Sequence, residues 1–142
     1  MQRTCALIKP DLVAKKLTGK VISMIEENGF EIVGMQKFVM SRELAEEFYE
    51  IHEDKPFYND IVEFMSSGPI IAMVLEKEDA VNAWRNLMGA TNPSNAAAGT
   101  VRALYGKSIQ ENGTHGSDSQ ENAENEIYLI FEEESYECNE EE

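Results

Sequence analysis

Basic charge is scarce in this chain. Against 27 Asp and Glu stand only 12 Lys and Arg, a formal net charge of −15, and so acidic a body is repelled by the phosphate backbone of DNA or RNA. Nucleic acid is therefore not the expected partner. Cysteine is nearly absent: Cys5 and Cys138 lie at opposite ends with no C-x-x-C spacing, which provides neither a disulfide framework nor a thiolate metal site. No apolar run reaches the ~18 residues that span a bilayer, and "MQRTCALIKPD" lacks the long apolar stretch of a secretory signal. A reducing, cytoplasmic setting without a membrane partner is expected, in which the Asn112-Gly113-Thr114 sequon is accidental.

At 142 residues, 42% of them hydrophobic, the chain can bury a core without covalent or metal staples. Seven acids crowd into "EEESYECNEEE" at its end, so the charge excess is partly a terminal feature. The expected organisation is one domain over 1–131 followed by a solvated acidic tail over 132–142.

Local patterns divide the domain into elements. "TCALIK" is a strand candidate closed by Pro10, which cannot donate to a ladder. Leu17, Val21, Met24 and Ile25 recur at helical spacing and stop at Gly29, a common residue just beyond a helix. "EIVGMQKFVM" reads as a second strand. Ser41 is placed to cap a helix through "RELAEEFYEIH", with Leu44, Ala45 and Phe48 as its buried stripe, and a further helix follows over 60–65. "PIIAMVLE" reads as a strand buried on both faces, and "DAVNAWRNLMG" as a helix from an Asp79 cap to Gly89. Between Ala90 and Gly113 the residues are small, polar and turn-prone over a length that suggests a functional loop. Asp118 or Ser119 caps a short helix through "QENAEN", and "EIYLIF" is expected as the last strand. Setting the helical insertion aside leaves a β-α-β-β-α-β order. This is the ferredoxin-like α+β layout, a four-stranded antiparallel sheet with helices, here with a helical insertion and a long active-site loop.

His115, one of two histidines, lies in "ENGTHGSDS" among glycines and hydroxyls. Its small neighbours imply a ring outside the packed core with room for a ligand. A neutral imidazole is a competent nucleophile near pH 7, and phosphorus is a suitable electrophile for it. An exposed turn histidine without a role is the plain alternative. Zinc finds no ligand spacing among His52, His115 and the cysteines, and "HGSDS" is not the G-x-S-x-G elbow of a hydrolase.

Six segments decide between these readings together. "ALIKPD", "FYEIHEDKPFY", "SGPIIAMVLE", "WRNLMGATNP", "AGTVRALYG" and "ENGTHGSDS" occur in this order and at these approximate spacings. In this the chain resembles the nucleoside diphosphate kinases, from about Arg3 to Phe131, ending in that family's N-x-x-H-G-S-D-S signature.

The resemblance implies that His115 takes the γ-phosphate of a nucleoside triphosphate and passes it to a nucleoside diphosphate, a covalent ping-pong transfer. It implies further that Arg85, Arg102 and Thr91 hold phosphate, and that Lys9 contacts sugar and transferred phosphate. Asn112 is implied as a ribose ligand and Phe57 as the ring on which the base stacks. Tyr49 is implied to approach the histidine, while Glu126 orients it and accepts from Ser117. Taken singly, each charged residue among these reads as an ordinary surface group and Phe57 as a core cap. Mg²⁺ is implied as a passenger on the nucleotide phosphates, with no metal ligand from the protein, and Asp118 is read as a loop anchor.

Family members assemble as dimers, tetramers or hexamers, and a tetramer or dimer is expected here. Gly113-Thr114 replaces two residues that are apolar in many members, "VRALYG" replaces a common "R-G-D-F" type stretch, and the Glu-rich end differs from the family's longer extension. Two rivals remain at this point. One is a binding or regulatory module of the same fold without turnover. The other is a sheet-surface reader of single strands, which would need basic residues where "EIYLIF" is followed by glutamates.

Overall fold

The computed structural model describes residues 1–132. Four strands form one antiparallel sheet: β1 (Gln2–Ile8), β2 (Glu31–Phe38), β3 (Ile70–Lys77) and β4 (Thr114–Gly116), in the spatial order β2-β3-β1-β4. This is the expected ferredoxin-like arrangement, with β1 and β3 in the centre. Directly opposite residues of an antiparallel pair share a face, and β1 pairs with β3 from Gln2 opposite Lys77 to Ile8 opposite Ile71.

Helices cover both faces. On one, α1 (Pro10–Ala14), α2 (Thr18–Glu27), α5 (Ala80–Met88) and α6 (Val101–Tyr105) bring Leu12, Val21, Ile25, Trp84, Met88 and Val101 against Ala6, Ile8, Met73 and Leu75. On the other, α3 (Arg42–Phe48) and α4 (Tyr58–Met65) bring Ala45, Phe48, Val62 and Met65 against Cys5, Leu7, Ile70 and Ala72. The helical insertion is thus the second cover of the sheet. That is why the "PIIAMVLE" segment is buried from Ile70 to Leu75 rather than alternating.

Several boundaries follow from local chemistry. Pro10 ends β1 and also opens α1 at its first position, where its missing N–H costs nothing. Ser41 accepts from the Leu44 amide, and Ser119 from the Asn122 amide, as N-caps of α3 and α7 (Gln120–Ile127). Asp79 opens α5 differently: its carboxylate accepts from the Asn82 side chain and not from a backbone amide. The stretch from Ala90 to Gly113 is not wholly irregular. It contains a 3-10 turn at Pro93–Asn95 and the helix α6, capped by Thr100.

The last strand corrects the sequence reading. "EIYLIF" is not a strand; Glu126 and Ile127 complete α7, and Tyr128–Glu132 forms a π-helical turn. A short apolar run does not distinguish strand from helix by itself. Here Ala123, Glu126 and Ile130 are all buried at helical spacing, and they set the choice. The fourth strand is instead Thr114–Gly116, three residues and too short to carry a period. Of the acidic tail expected at 132–142, residues 133–142, including Cys138, lie outside the described residues.

Candidate active site

His115 stands on β4 opposite Leu7 of β1, so its ring emerges on the face covered by α3. Phe48 meets the ring at 5.0 Å between centroids with 66° between planes, and Tyr49, just past the end of α3, at 5.9 Å and 85°. These are edge-to-face contacts. The ring is therefore packed on two sides, contrary to the open setting its small neighbours imply. Glycine and serine give room next to it in sequence, whereas α3 fills that room in space.

The ring's orientation is fixed by a carboxylate. His115 Nε2 lies 2.9 Å from Glu126 Oε1, and a carboxylate oxygen can only accept, so Nε2 carries the proton. The same oxygen accepts from Ser117 Oγ at 2.8 Å, and Ser117 Oγ in turn accepts from the Cys5 amide at 3.3 Å. With Nε2 engaged, Nδ1 is the basic nitrogen, and among the described residues it has no hydrogen-bond partner.

Backbone contacts hold β4 from the far side. Trp84 Nε1 donates to the carbonyl of His115 at 3.0 Å, and Arg102 donates to the carbonyls of Thr114 at 2.9 Å and Gly89 at 3.0 Å. The close approach of Trp84 requires a glycine at 116. A Cβ there would stand 2.6 Å from Trp84 Cδ1 and 2.5 Å from Met88 Cε.

Lys9, between β1 and α1, donates through Nζ to Asn112 Oδ1 at 2.9 Å, and Asn112 Nδ2 donates to the Thr91 carbonyl at 3.0 Å. Burial, and then the Arg102 charge, push the Lys9 ammonium down to about 8, against an opposing pull from Asp11. Arg102 is pushed down to about 10, by burial first and Arg85 second. Among the described residues the buried Tyr49 hydroxyl has no hydrogen-bond partner, and burial raises its phenol well above the ordinary range.

A cleft of about 600 Å³ collects these groups. Lys9, Tyr49, Phe57, Arg85, Thr91, Arg102, Asn112, His115 and Glu126 all line it, while Ser117 sits behind Glu126. A smaller cavity of about 340 Å³ adjoins, with Arg85, Thr91 and Arg102 on its wall too. Asp118 lines the cleft and accepts from Asn122, as a loop anchor does. Among the described residues, no group of three or more His, Cys, Asp or Glu is placed to hold a metal ion, and no helix is long and apolar enough to cross a membrane.

Ile109, and His52 as a brace for the expected Phe57, were not among the site residues read from the sequence. Ile109 is 61% exposed at the cleft mouth, and Phe57, at the mouth as well, is 45% exposed and braced by the His52 ring at 5.6 Å. A lone isoleucine in the polar stretch "GKSIQENG" was the available signal. Trp84's bond to the His115 carbonyl had none.

An oriented imidazole, three cations and apolar groups at the mouth suit a ligand with an anionic end and a flat end. Residues 2–136 match the family model described as nucleoside diphosphate kinase. The chain belongs to the nucleoside diphosphate kinase family. It is an enzyme, a kinase of that family. A nucleoside diphosphate kinase of Citrifermentans bemidjiense is 58% identical over 131 residues, which are 92% of this chain and 96% of that protein. Among solved structures, the Aquifex aeolicus nucleoside diphosphate kinase superposes with a TM-score of 0.90 at 41% identity, covering 92% of this chain and 94% of that one. A halophilic nucleoside diphosphate kinase from Halobacterium salinarum, solved in complex with CDP, gives 0.88 at 43% identity over 92% and 87%.

Proposed function

We propose that the chain moves the γ-phosphate of a nucleoside triphosphate onto a nucleoside diphosphate in two displacements through a phosphohistidine on His115. The observation that carries this reading is the hydrogen bond of Nε2 to Glu126, which leaves Nδ1 as the free basic nitrogen in a cleft with Lys9, Arg85 and Arg102. Nδ1 attacks the γ-phosphorus; the N–P bond forms as the bond from phosphorus to the β,γ-bridging oxygen breaks, and the diphosphate leaves. A terminal oxygen of the second diphosphate then attacks the same phosphorus, and Nδ1 departs with its lone pair.

The side chains divide the work. As Nδ1 bonds to phosphorus the ring gains positive charge, which the Glu126 carboxylate offsets through Nε2–H. Lys9, Arg85 and Arg102 stabilise charge on the equatorial oxygens, which is most of what phosphoryl transfer requires. The Tyr49 hydroxyl, without a partner among the described residues, is free to donate to a phosphoryl oxygen beside the ring. Asn112 and Lys9 take the ribose hydroxyls, and Thr91 adds a phosphate contact. Phe57 stacks on the base, and stacking accepts every base because each has a π-face.

The wall suits a nucleotide that brings its own Mg²⁺: its cations are ligands for phosphate, and Glu126 is committed to His115 and Ser117. Arg85, Arg102 and Thr91 would hold the phosphates that carry the ion, and the ion when bound neutralises their charge.

Labelling tests the mechanism. Protein mixed with γ-labelled ATP should acquire acid-labile label that GDP removes as labelled GTP. His115→Asn should acquire none while binding nucleotide within about tenfold of the parent. Label that GDP cannot remove, or turnover by His115→Asn above trace, refutes the covalent path.

A further inference from the structure

We infer that Trp84 is a positioning residue for the reaction, its indole N–H acting as a strut that holds the main chain of His115 at a set distance from the turn of α5 that carries Arg85. The inference rests on the phosphate-accepting role given to His115 above.

β4 has little of its own to hold it. It is three residues long, and among the described residues its only neighbour in the sheet is β1. Two side-chain donors make up the difference, on consecutive carbonyls: Arg102 on Thr114 at 2.9 Å and Trp84 Nε1 on His115 at 3.0 Å. The two are not equivalent. Arg102 also lines the cleft and faces the ligand. Trp84 is fully buried, stays off the cleft wall, and stands edge-on against Phe30 at 6.3 Å and 85°.

A buried indole N–H takes an acceptor within reach, so the bond alone would be ordinary. Three features give it a consequence. Its acceptor is the carbonyl of the nucleophile itself. Its donor directly precedes Arg85, which lines the cleft, so one turn of helix supplies both the strut and a phosphate-facing cation. The fit around it is also close: a Cβ on residue 116 would stand 2.9 Å from Nε1.

His115 is thus gripped from both faces of the sheet. Glu126, Phe48 and Tyr49 hold the ring on one, and Trp84, packed in the core under α5, holds the main chain from the other. The ring contacts set orientation, whereas the strut sets where Nδ1 stands relative to Arg85. Misplacing a reacting atom by about 1 Å can slow a transfer by up to ~10²-fold.

The chain has one tryptophan, so replacing tryptophan by β-(3-benzothienyl)alanine alters this position alone. Sulfur takes the place of the N–H and the bicyclic shape is kept. Rapid-quench phosphorylation by saturating γ-labelled ATP should slow about tenfold, while ATP affinity by calorimetry stays within about twofold of the parent. An unchanged rate, or a loss of affinity that matches the loss of rate, overturns the inference. 7-Azatryptophan retains the N–H and should keep the parental rate; slowing equal to that of the sulfur analogue overturns it as well. A further readout needs no turnover. In protein carrying ¹⁵N-histidine, solvent exchange of the His115 Nε2 proton should quicken about tenfold in the sulfur analogue as the ring's hold on Glu126 loosens, and unchanged exchange overturns the inference. Failure of the kinase reading would show instead as a parent protein that takes no label, with this exchange difference intact. Should the sulfur analogue not fold, Trp84→Phe carries the same measurements.

Discussion

Glu126→Gln isolates the charge of the group that orients the nucleophile, with almost no change of shape. In the parent, one carboxylate oxygen accepts from both His115 Nε2 and Ser117 Oγ, at 2.9 and 2.8 Å. Glutamine can still present its carbonyl oxygen to both donors, so ring orientation and local packing survive. What is lost is the negative charge that strengthens as the imidazole becomes cationic in the transition state. A hydrogen bond to a charged group contributes about 1.5–3 kcal/mol and a neutral one about 0.5–1.5. The difference of about 1–2 kcal/mol converts to roughly a 5- to 30-fold slower phosphorylation of the enzyme. Rapid-quench measurement of label transfer from γ-labelled ATP reads that step, separately from nucleotide affinity. The loss should fall on the rate, with KM for the nucleotide little changed. A variant as fast as the parent, or one impaired only in KM, would refute the role given to the carboxylate.

Phe57→Ala should weaken binding of purine and pyrimidine nucleotides alike by about 1–3 kcal/mol, measured by calorimetry; a loss confined to purines contradicts a stacking role blind to the base. Gly116→Ala forces a Cβ to within 2.6 Å of Trp84 Cδ1, and overpacking of this kind costs about 1–3 kcal/mol, visible in the urea midpoint; an unchanged midpoint would mean that Trp84 has room to retreat. The Lys9 ammonium, pushed down to about 8, releases its proton in the folded chain before the unfolded chain does, at ~10.4. Between those values the unfolded state holds more protons, so wild-type stability should rise with pH relative to Lys9→Met, by up to about 1.4 kcal/mol per unit. A flat difference in urea unfolding across that window contradicts the buried ammonium.

The long elements were legible because each carries several turns or pleats of one period. Val21 and Ile25 mark α2, the unbroken apolar run of β3 marks burial on both faces, and Ser41 and Ser119 mark helix starts by their capping oxygens. β4 escaped notice because three residues hold no period, and "EIYLIF" misled because a six-residue apolar run fits either geometry until Ala123 and Glu126 are seen to continue its face. The residues expected at the site converge because their segments carry motif signals that do not depend on knowing the intervening structure. The His52 brace on Phe57 and the Phe48 edge on His115 were not readable, since each is defined by how α3 and the turn after it pack in space. A similar gap separates the sequence view of His115, with small neighbours and open space, from its packed ring.

The cleft draws on the junction after β1, the chain from the end of α3 into α4, and on α5, α6, β4 and α7, so its parts lie as far apart as Lys9 and Glu126. No short fragment of the chain contains all of it. Loosening any one of these elements removes a member of the constellation, and a ligand that binds only the assembled set tightens all of them at once through mass action. A nucleotide that binds the assembled cleft would then stabilise the folded chain as a whole. A copy in which the cleft is not assembled would gain none of that stabilisation.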